Sequence, residues 1–205
     1  LKRTQAGGMA ASEGTARNWQ NATGSAMIEG WGMSETCAIG TNNPVTQTSF
    51  SGSIGLPLPS IEMAIKDDDG QSLPVGSSGE ICIRGPNVMT GYFNQPAENA
   101  KTFTADGFMR TGDIGIMDEG GFTRIVDRKK DMVISGGENI YCAEVERAMG
   151  EITGITECAA FGIADERLGE LLVAVVVANG LTEETICGDV GEKLARYKAP
   201  GRVAF

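Results

Sequence analysis

Five consecutive charged residues, Asp127-Arg128-Lys129-Lys130-Asp131, stand between two apolar runs near the middle of the chain. Four residues further on, Ser135-Gly136-Gly137-Glu138-Asn139 forms a Gly-rich loop just before a helix start. A charged connector followed by a glycine loop divides the chain into two bodies that meet at a joint. On the near side of that joint, Thr111-Gly112-Asp113 places one acid in a Gly-flanked turn. An acid and an arginine close to a joint are suited to hold a polyhydroxylated ligand.

Composition narrows the classes. The 205 residues fit one or two domains, and the formal net charge of −10 with no basic stripe argues against a nucleic-acid binder. No apolar run reaches the length of a membrane span. The longest, residues 171–178, reads as one buried strand, and the N-terminal Leu1-Lys2-Arg3-Thr4 lacks a signal-peptide core. The sequence has five cysteines and no histidine. No two cysteines form a C-x-x-C pair, which argues against zinc and fits reduced thiols in a cytoplasmic protein. A Ser-His or Cys-His nucleophile pair is excluded within this chain, so chemistry here falls to carboxylates, cationic side chains, hydroxyls, backbone or a metal.

Taken in order, residues 1–9 read as a strand ending in the Gly7-Gly8 turn, and Ser12 with Glu13 starts a helix to about Asn21. Met27-Ile28-Glu29 is a short strand that runs into Gly30-Trp31-Gly32-Met33-Ser34-Glu35-Thr36. The two glycines allow a close backbone approach to a ligand, with Trp31 between them as a packed core residue or a stacking platform. Residues 61–66 and 80–84 alternate with period two around the turn Asp67-Asp68-Asp69-Gly70, predicting a small antiparallel sheet or a distorted barrel. The three aspartates read as a solvated turn rather than a metal site. From Met132 the pattern is α+β. A strand over residues 132–134 precedes the Gly loop, and a helix over about 143–149 stops at Gly150. Strands follow over 157–163 and 170–178. A last helix, capped by Thr182, carries an Ile186, Val190, Leu194 stripe and ends at Lys198-Ala199-Pro200.

These words in this order resemble the adenylate-forming, AMP-binding enzymes: acyl-CoA synthetases, luciferases and peptide-synthetase adenylation domains. The likeness runs from about Gly7 to the end and is strongest to fatty acid–CoA ligases, through the D-R-K-K-D form at 127–131. It implies a mixed α+β fold. Residues 1–126 would be part of the large AMP-binding domain, combining α/β structure with a distorted antiparallel β-barrel. Residues 127–131 would be the hinge, and 132–205 an incomplete small C-terminal domain. It implies ATP, AMP, Mg²⁺, a fatty acid and coenzyme A as ligands, and a two-step thioester synthesis. It further implies that Gly8 lies beside adenine and the acyl group, Trp31 and Gly32 against adenine, and Ser34 on phosphate oxygens. Glu35 would bind Mg²⁺, Asp113 the ribose hydroxyls, and Arg128 ribose and phosphate. Lys130 would be the pivot, with Lys129 only solvated, and Gly136 and Gly137 would help form the thiol channel. Gly91-Tyr92-Phe93-Asn94 with Pro96 matches a G-Y-x-x-x-P segment and takes a structural role. Trp31 and Ser34 replace the commoner Tyr and Thr, and Cys142 replaces a Pro. A phosphate loop before Leu1 and a lysine beyond Phe205 are expected, which would make the chain a fragment, inactive alone. The resemblance leaves room for a different acceptor, an inert nucleotide-binding remnant, peripheral membrane contact and a homodimer.

Overall fold

The computed structural model describes residues 4–8, 11 and 13–205, so the expectations for Met9 and for Ser12 as a helix cap lie outside the described residues. Its contacts group into two units, Leu1–Ile125 and Val126–Phe205.

The first unit opens with β1 (Thr4–Ala6), α1 (Glu13–Thr23) and β2 (Met27–Trp31), with β1 and β2 parallel. The Trp19 indole N–H donates to Thr4 Oγ1 at 3.0 Å, tying helix to strand. β3 (Thr41–Asn42) and β4 (Leu56–Pro57) add antiparallel edges, giving the sheet order β1-β2-β3-β4. A second, four-stranded sheet follows in the order β5 (Glu62–Lys66), β6 (Ser78–Arg84), β7 (Met109–Met117) and β8 (Thr123–Arg128), with α2 (Pro96–Thr102) between β6 and β7. The Asp67–Gly70 turn forms as the aspartates foretell. Asp67 Oδ1 accepts from the Gln71 N–H at 2.7 Å, and the Gly70 N–H closes on the Asp67 carbonyl. The barrel does not close among the described residues. β5 stays an edge of an open sheet, while β8 is met by the first sheet's loop at Ile54 and Gly55, through the Ile54 N–H to the Thr123 carbonyl. β6 is central, and its Ile81, Cys82 and Ile83 are fully buried.

The turn expected at Thr111-Gly112-Asp113 is a β-bulge inside β7. Cys82 pairs with Arg110 and Glu80 with Ile114, so three residues of β7, Thr111, Gly112 and Asp113, stand opposite Ile81 alone. Gly112 takes φ +76°, which only glycine adopts cheaply. Glu80, 5% exposed, holds the bulge from below: Oε1 accepts the Gly112 N–H at 3.1 Å and Oε2 the Arg110 guanidinium at 2.9 Å.

The second unit adds β9 (Val133–Ser135), β10 (Glu138–Ile140), α3 (Cys142–Gly150), β11 (Ile155–Asp165), β12 (Gly169–Ala178), α4 (Glu183–Lys193) and β13 (Arg202–Ala204). The strands form one sheet, β10-β9-β12-β11, with β13 parallel to β12. Val145 and Met149 of α3 and Ile186 and Val190 of α4 close over Ala160, Leu172, Ala174 and Val176 as its core. Residues 171–178 are therefore buried on one face only; Val175 and Val177 are 44% and 55% exposed. The Thr182 hydroxyl accepts the Thr185 N–H and the Thr185 hydroxyl accepts the Thr182 N–H, a reciprocal cap worth about 1 kcal/mol. The helix ends at Lys193, before the expected Lys198-Ala199-Pro200, which lies in and just after a separate 3₁₀ turn. The Gly loop also differs from expectation. Gly136 and Gly137, at φ +60° and +88°, form the two-residue turn of a β9–β10 hairpin, the pairing that positive φ at both centres favours.

The charged run is not a bare connector. Asp127 is 8% exposed, and its Oδ2 accepts the Ala143 N–H at 3.1 Å. Because Tyr141 at the start of α3 offers no side-chain cap, Asp127 supplies an acceptor for an otherwise orphaned helix N–H. Lys129–Asp131 turns in a 3₁₀ helix. All five cysteines are free, and burial lifts the Cys142 thiol to about 12, fitting a packing role at the start of α3.

Candidate functional site

β2 runs out at Trp31 and the chain turns through the 3₁₀ segment Ser34–Thr36. The buried Thr36 hydroxyl closes the turn by accepting from the Met33 N–H and donating to the Met33 carbonyl, both at 3.0 Å. Cys37 and Ala38 follow at φ +52° and +77°. Two left-handed residues in succession double the chain back, and the Ala38 carbonyl comes to rest against Gly32, where a Cβ would overlap it. Gly32 is thus required by the loop's own backbone. Gly30 is likewise crowded by protein, since a Cβ there would lie 2.6 Å from Asn42 Oδ1. The result presents Ser34, exposed, and Glu35, half-buried, on one tight turn.

The segment after β6 grips this turn at four points. The Asn87 amide donates to the Thr36 and Ile39 carbonyls at 2.9 and 2.6 Å. The Met89 N–H donates to the Glu35 carbonyl at 2.8 Å, and the Tyr92 hydroxyl donates to Glu35 Oε1 at 2.8 Å.

Asp113 reaches the same neighbourhood from β7. Its Oδ2 accepts the Trp31 indole N–H at 2.9 Å. Trp31 is 9% exposed and packs against the buried Ile83 and Met109, so its ring is a core element whose polar edge orients the acid. Glycine at position 40 is what admits the ring, since a Cβ there would sit 2.8 Å from Trp31 Cζ3. Gly8, at φ +87° with open space where a Cβ would be, follows β1 by two residues.

The first unit therefore pairs Trp31 with Asp113 and carries Gly32, Ser34 and Glu35 on the turn into which Trp31 leads. The boundary between the units falls within β8, so Arg128 at its end belongs to the second unit with Lys130 in the 3₁₀ turn and the Gly136-Gly137 hairpin, and Arg128 and Lys130 are exposed. Two contributors escape a reading of the sequence. Glu80 lies in an alternating strand with nothing to mark it, and Tyr92 sits in a motif whose long-range contact to Glu35 only the fold reveals. Among the described residues no cluster of three or more acids, cysteines or histidines could hold a metal on protein ligands alone. A lone carboxylate beside a hydroxyl fits Mg²⁺, which keeps waters and takes phosphate oxygens as its other ligands.

A sheet with a parallel β1–β2 pair joined to an antiparallel one, with an acid on a bulge bonded to the tryptophan that leads into a Ser-Glu turn, is the arrangement to set against known proteins. The AMP-binding enzyme model matches residues 1–93 and the AMP-binding enzyme C-terminal domain model residues 144–205; the chain belongs to this adenylate-forming family. Over its whole length it is 40% identical to a long-chain-fatty-acid–CoA ligase of Yersinia pestis, and it spans 37% of that relative's length. In three dimensions it matches ATP-bound MatB from Rhodopseudomonas palustris with a TM-score of 0.90 and 36% identity, covering 98% of this chain and 41% of that one. The O-succinylbenzoate coenzyme A synthetase of Bacillus subtilis, in complex with ATP and a magnesium ion, matches with a TM-score of 0.84 and 34% identity over 99% of this chain and 42% of its own.

Proposed function

We propose that these residues serve an ATP-dependent fatty acid–CoA ligase. The observation that supports the reading is the Trp31–Asp113 contact, which holds a carboxylate against the residue that leads into the turn bearing Ser34 and Glu35. In the first half-reaction the fatty carboxylate attacks the α-phosphorus of ATP, forming acyl-AMP and releasing pyrophosphate. In the second the thiol of coenzyme A gives up its proton to solvent and attacks the acyl carbon, and AMP leaves with the electron pair of the broken C–O bond.

A carboxylate is a weak nucleophile, so the protein's task is positioning and charge neutralisation rather than proton transfer, which suits a chain without histidine. Asp113 accepts from vicinal ribose hydroxyls, Arg128 donates to ribose and phosphate oxygens, and the Ser34 hydroxyl donates to phosphate. Mg²⁺ held by Glu35 would neutralise phosphate charge. Gly8, Trp31 and Gly32 bound the adenine side. The second half-reaction uses the Gly136-Gly137 hairpin of the second unit, brought into use by movement about the hinge at 127–131, with Lys130 as pivot.

The test is fatty-acid-dependent ATP–pyrophosphate exchange by the full-length protein, followed by thioester formation on adding coenzyme A. Exchange without a thioester would move the reading to a different acceptor within the family. No exchange with any carboxylic acid would leave only nucleotide binding.

A further inference from the structure

The Gly91-Tyr92-x-x-x-Pro96 pattern has no part in the function proposed above. We infer that Tyr92 is a positioning residue for the Glu35 carboxylate, fixing the orientation in which Glu35 meets a cation bound to phosphate. The inference rests on the reading of Glu35 as the metal-binding acid.

The hydroxyl of Tyr92 donates to Glu35 Oε1 at 2.8 Å, a hydrogen bond assisted by the carboxylate's charge. The bond is held from both ends. On the Glu35 side, the Met89 N–H and the Asn87 amide pin the Ser34–Thr36 turn through its carbonyls. On the Tyr92 side, the Asn99 side chain pairs with the tyrosine's backbone in both directions. Asn99 Oδ1 accepts the Tyr92 N–H at 2.7 Å and Asn99 Nδ2 donates to the Tyr92 carbonyl at 3.0 Å.

The motif's spacing follows from this bracket. Pro96 starts α2, which carries Asn99 back over the preceding turn, and the Asn99 N–H itself donates to the Gln95 carbonyl at 2.9 Å. Gly91 must be glycine: its φ is +140° and a Cβ would come within 2.9 Å of the Asn99 amide. A proline, an asparagine and a glycine therefore cooperate to fix the backbone of one tyrosine, a residue that remains 38% exposed while its hydroxyl lies on Glu35. A motif built only for packing would have buried that ring. An unrestrained glutamate would lose rotamer freedom on binding a cation, and the phenol removes that loss in advance.

The experiment compares ATP affinity with Mg²⁺ and in EDTA by calorimetry on the full-length protein, with AMP in EDTA as the metal-independent control. The ratio of the two ATP affinities measures what the metal contributes. Glu35→Gln should collapse that ratio. Tyr92→Phe, which keeps the ring, should lower it about ten-fold, the scale of losing a group that orients a metal ligand, with AMP affinity and melting temperature unchanged. Asn99→Ala, which keeps the hydroxyl but loosens the bracket, should lower it less. If Glu35→Gln collapses the ratio and Tyr92→Phe leaves it intact, the positioning role is refuted while the metal reading stands. If Glu35→Gln leaves the ratio intact, both are refuted. A Tyr92→Phe protein that loses AMP affinity as much as the Mg²⁺ effect would show the bracket to be general scaffolding and overturn the inference.

Discussion

Asp113 and Trp31 stand 82 positions apart, and the 2.9 Å bond between them makes each explain the other. A carboxylate with one oxygen already engaged by an indole N–H is oriented before any ligand arrives, so its contribution to binding is not spent on ordering the side chain. Hydrogen bonds to a charged group are each worth about 1.5–3 kcal/mol, so Asp113→Ala in the full-length protein should weaken AMP and ATP about ten- to a hundred-fold. Calorimetry checks it, and undiminished affinity would leave Asp113 as no more than a partner for Trp31. A second carboxyl carries a prediction in pH. Burial raises Glu29 to about 7, against the Gly52 N–H, which donates to Oε2 at 3.0 Å and pulls it down. The unfolded chain titrates this group near 4.5. The folded state thus binds the proton more tightly, so the group's stabilising contribution is complete below the unfolded value and is lost as pH rises through the folded one. Glu29→Gln keeps an oxygen for Gly52 and cannot ionise. Melting of the 205-residue chain should therefore fall less for the variant than for the parent between about pH 5 and about pH 8. Parallel curves would show that Glu29 has its ordinary acidity.

The bulge in β7 is the element on which the site depends, and its sequence cost is a single glycine. A Cβ on Gly112 would meet nothing within 4 Å, so Gly112→Ala tests backbone conformation alone. At φ +76° an alanine should cost about 1–2 kcal/mol in denaturant unfolding. If the bulge then slips, AMP affinity should drop with it, because Asp113 is the next residue. Stability lost without affinity would mean that Glu80 and Arg110 hold the bulge even against that strain. This element also marks the boundary of what can be read from sequence. The alternation in β5 and β6, the Asp67–Gly70 turn, the stripe of α4 and its Thr182 cap are local, and the sequence carries them openly. Thr-Gly-Asp favours a turn and a bulge alike, and only pairing with β6, some thirty residues earlier, selects the bulge. The β9–β10 hairpin leaves only a loop signal in the sequence, because Glu138-Asn139-Ile140 has no strand periodicity of its own and two glycines at positive φ supply the turn that pairs it. In the same way Asp127 belonged to a run of charges by sequence, yet is buried at the start of α3, sixteen residues on, where a helix lacked a cap. Ser34 and Glu35, neighbours in one motif, share one turn as local sequence implies, whereas Glu80 and Tyr92 reach their partners across distances that no local pattern records.

For the molecule as a whole, the proposed chemistry needs two different sets of side chains at two times, and those sets fall in different units. Ser34, Glu35 and Asp113 belong to the first, and the Gly136-Gly137 hairpin to the second. A movement between them must be absorbed by a few residues that change φ and ψ. The run at 127–131 meets that need in part. Asp127 is fastened to Ala143 within the second unit, whereas Lys130 is exposed, in a one-turn 3₁₀ segment with no buried residue. Lys130 is thus the freer position at which to place a pivot. Proline fixes φ near −65° and drives the preceding residue out of the helical region, so Lys130→Pro should stiffen the joint at both Lys129 and Lys130. Residues 34, 35 and 113 would be untouched, and acyl-AMP formation would survive in whichever orientation the stiffened joint allows. Transfer to coenzyme A requires the hairpin to arrive and should fall much further. Single-turnover kinetics on the full-length protein separates the steps: pyrophosphate release reports the first, and thioester formation from pre-made acyl-AMP the second. A variant that slows both equally, or neither, would place the pivot elsewhere and leave Lys130 as an exposed residue of a solvated turn.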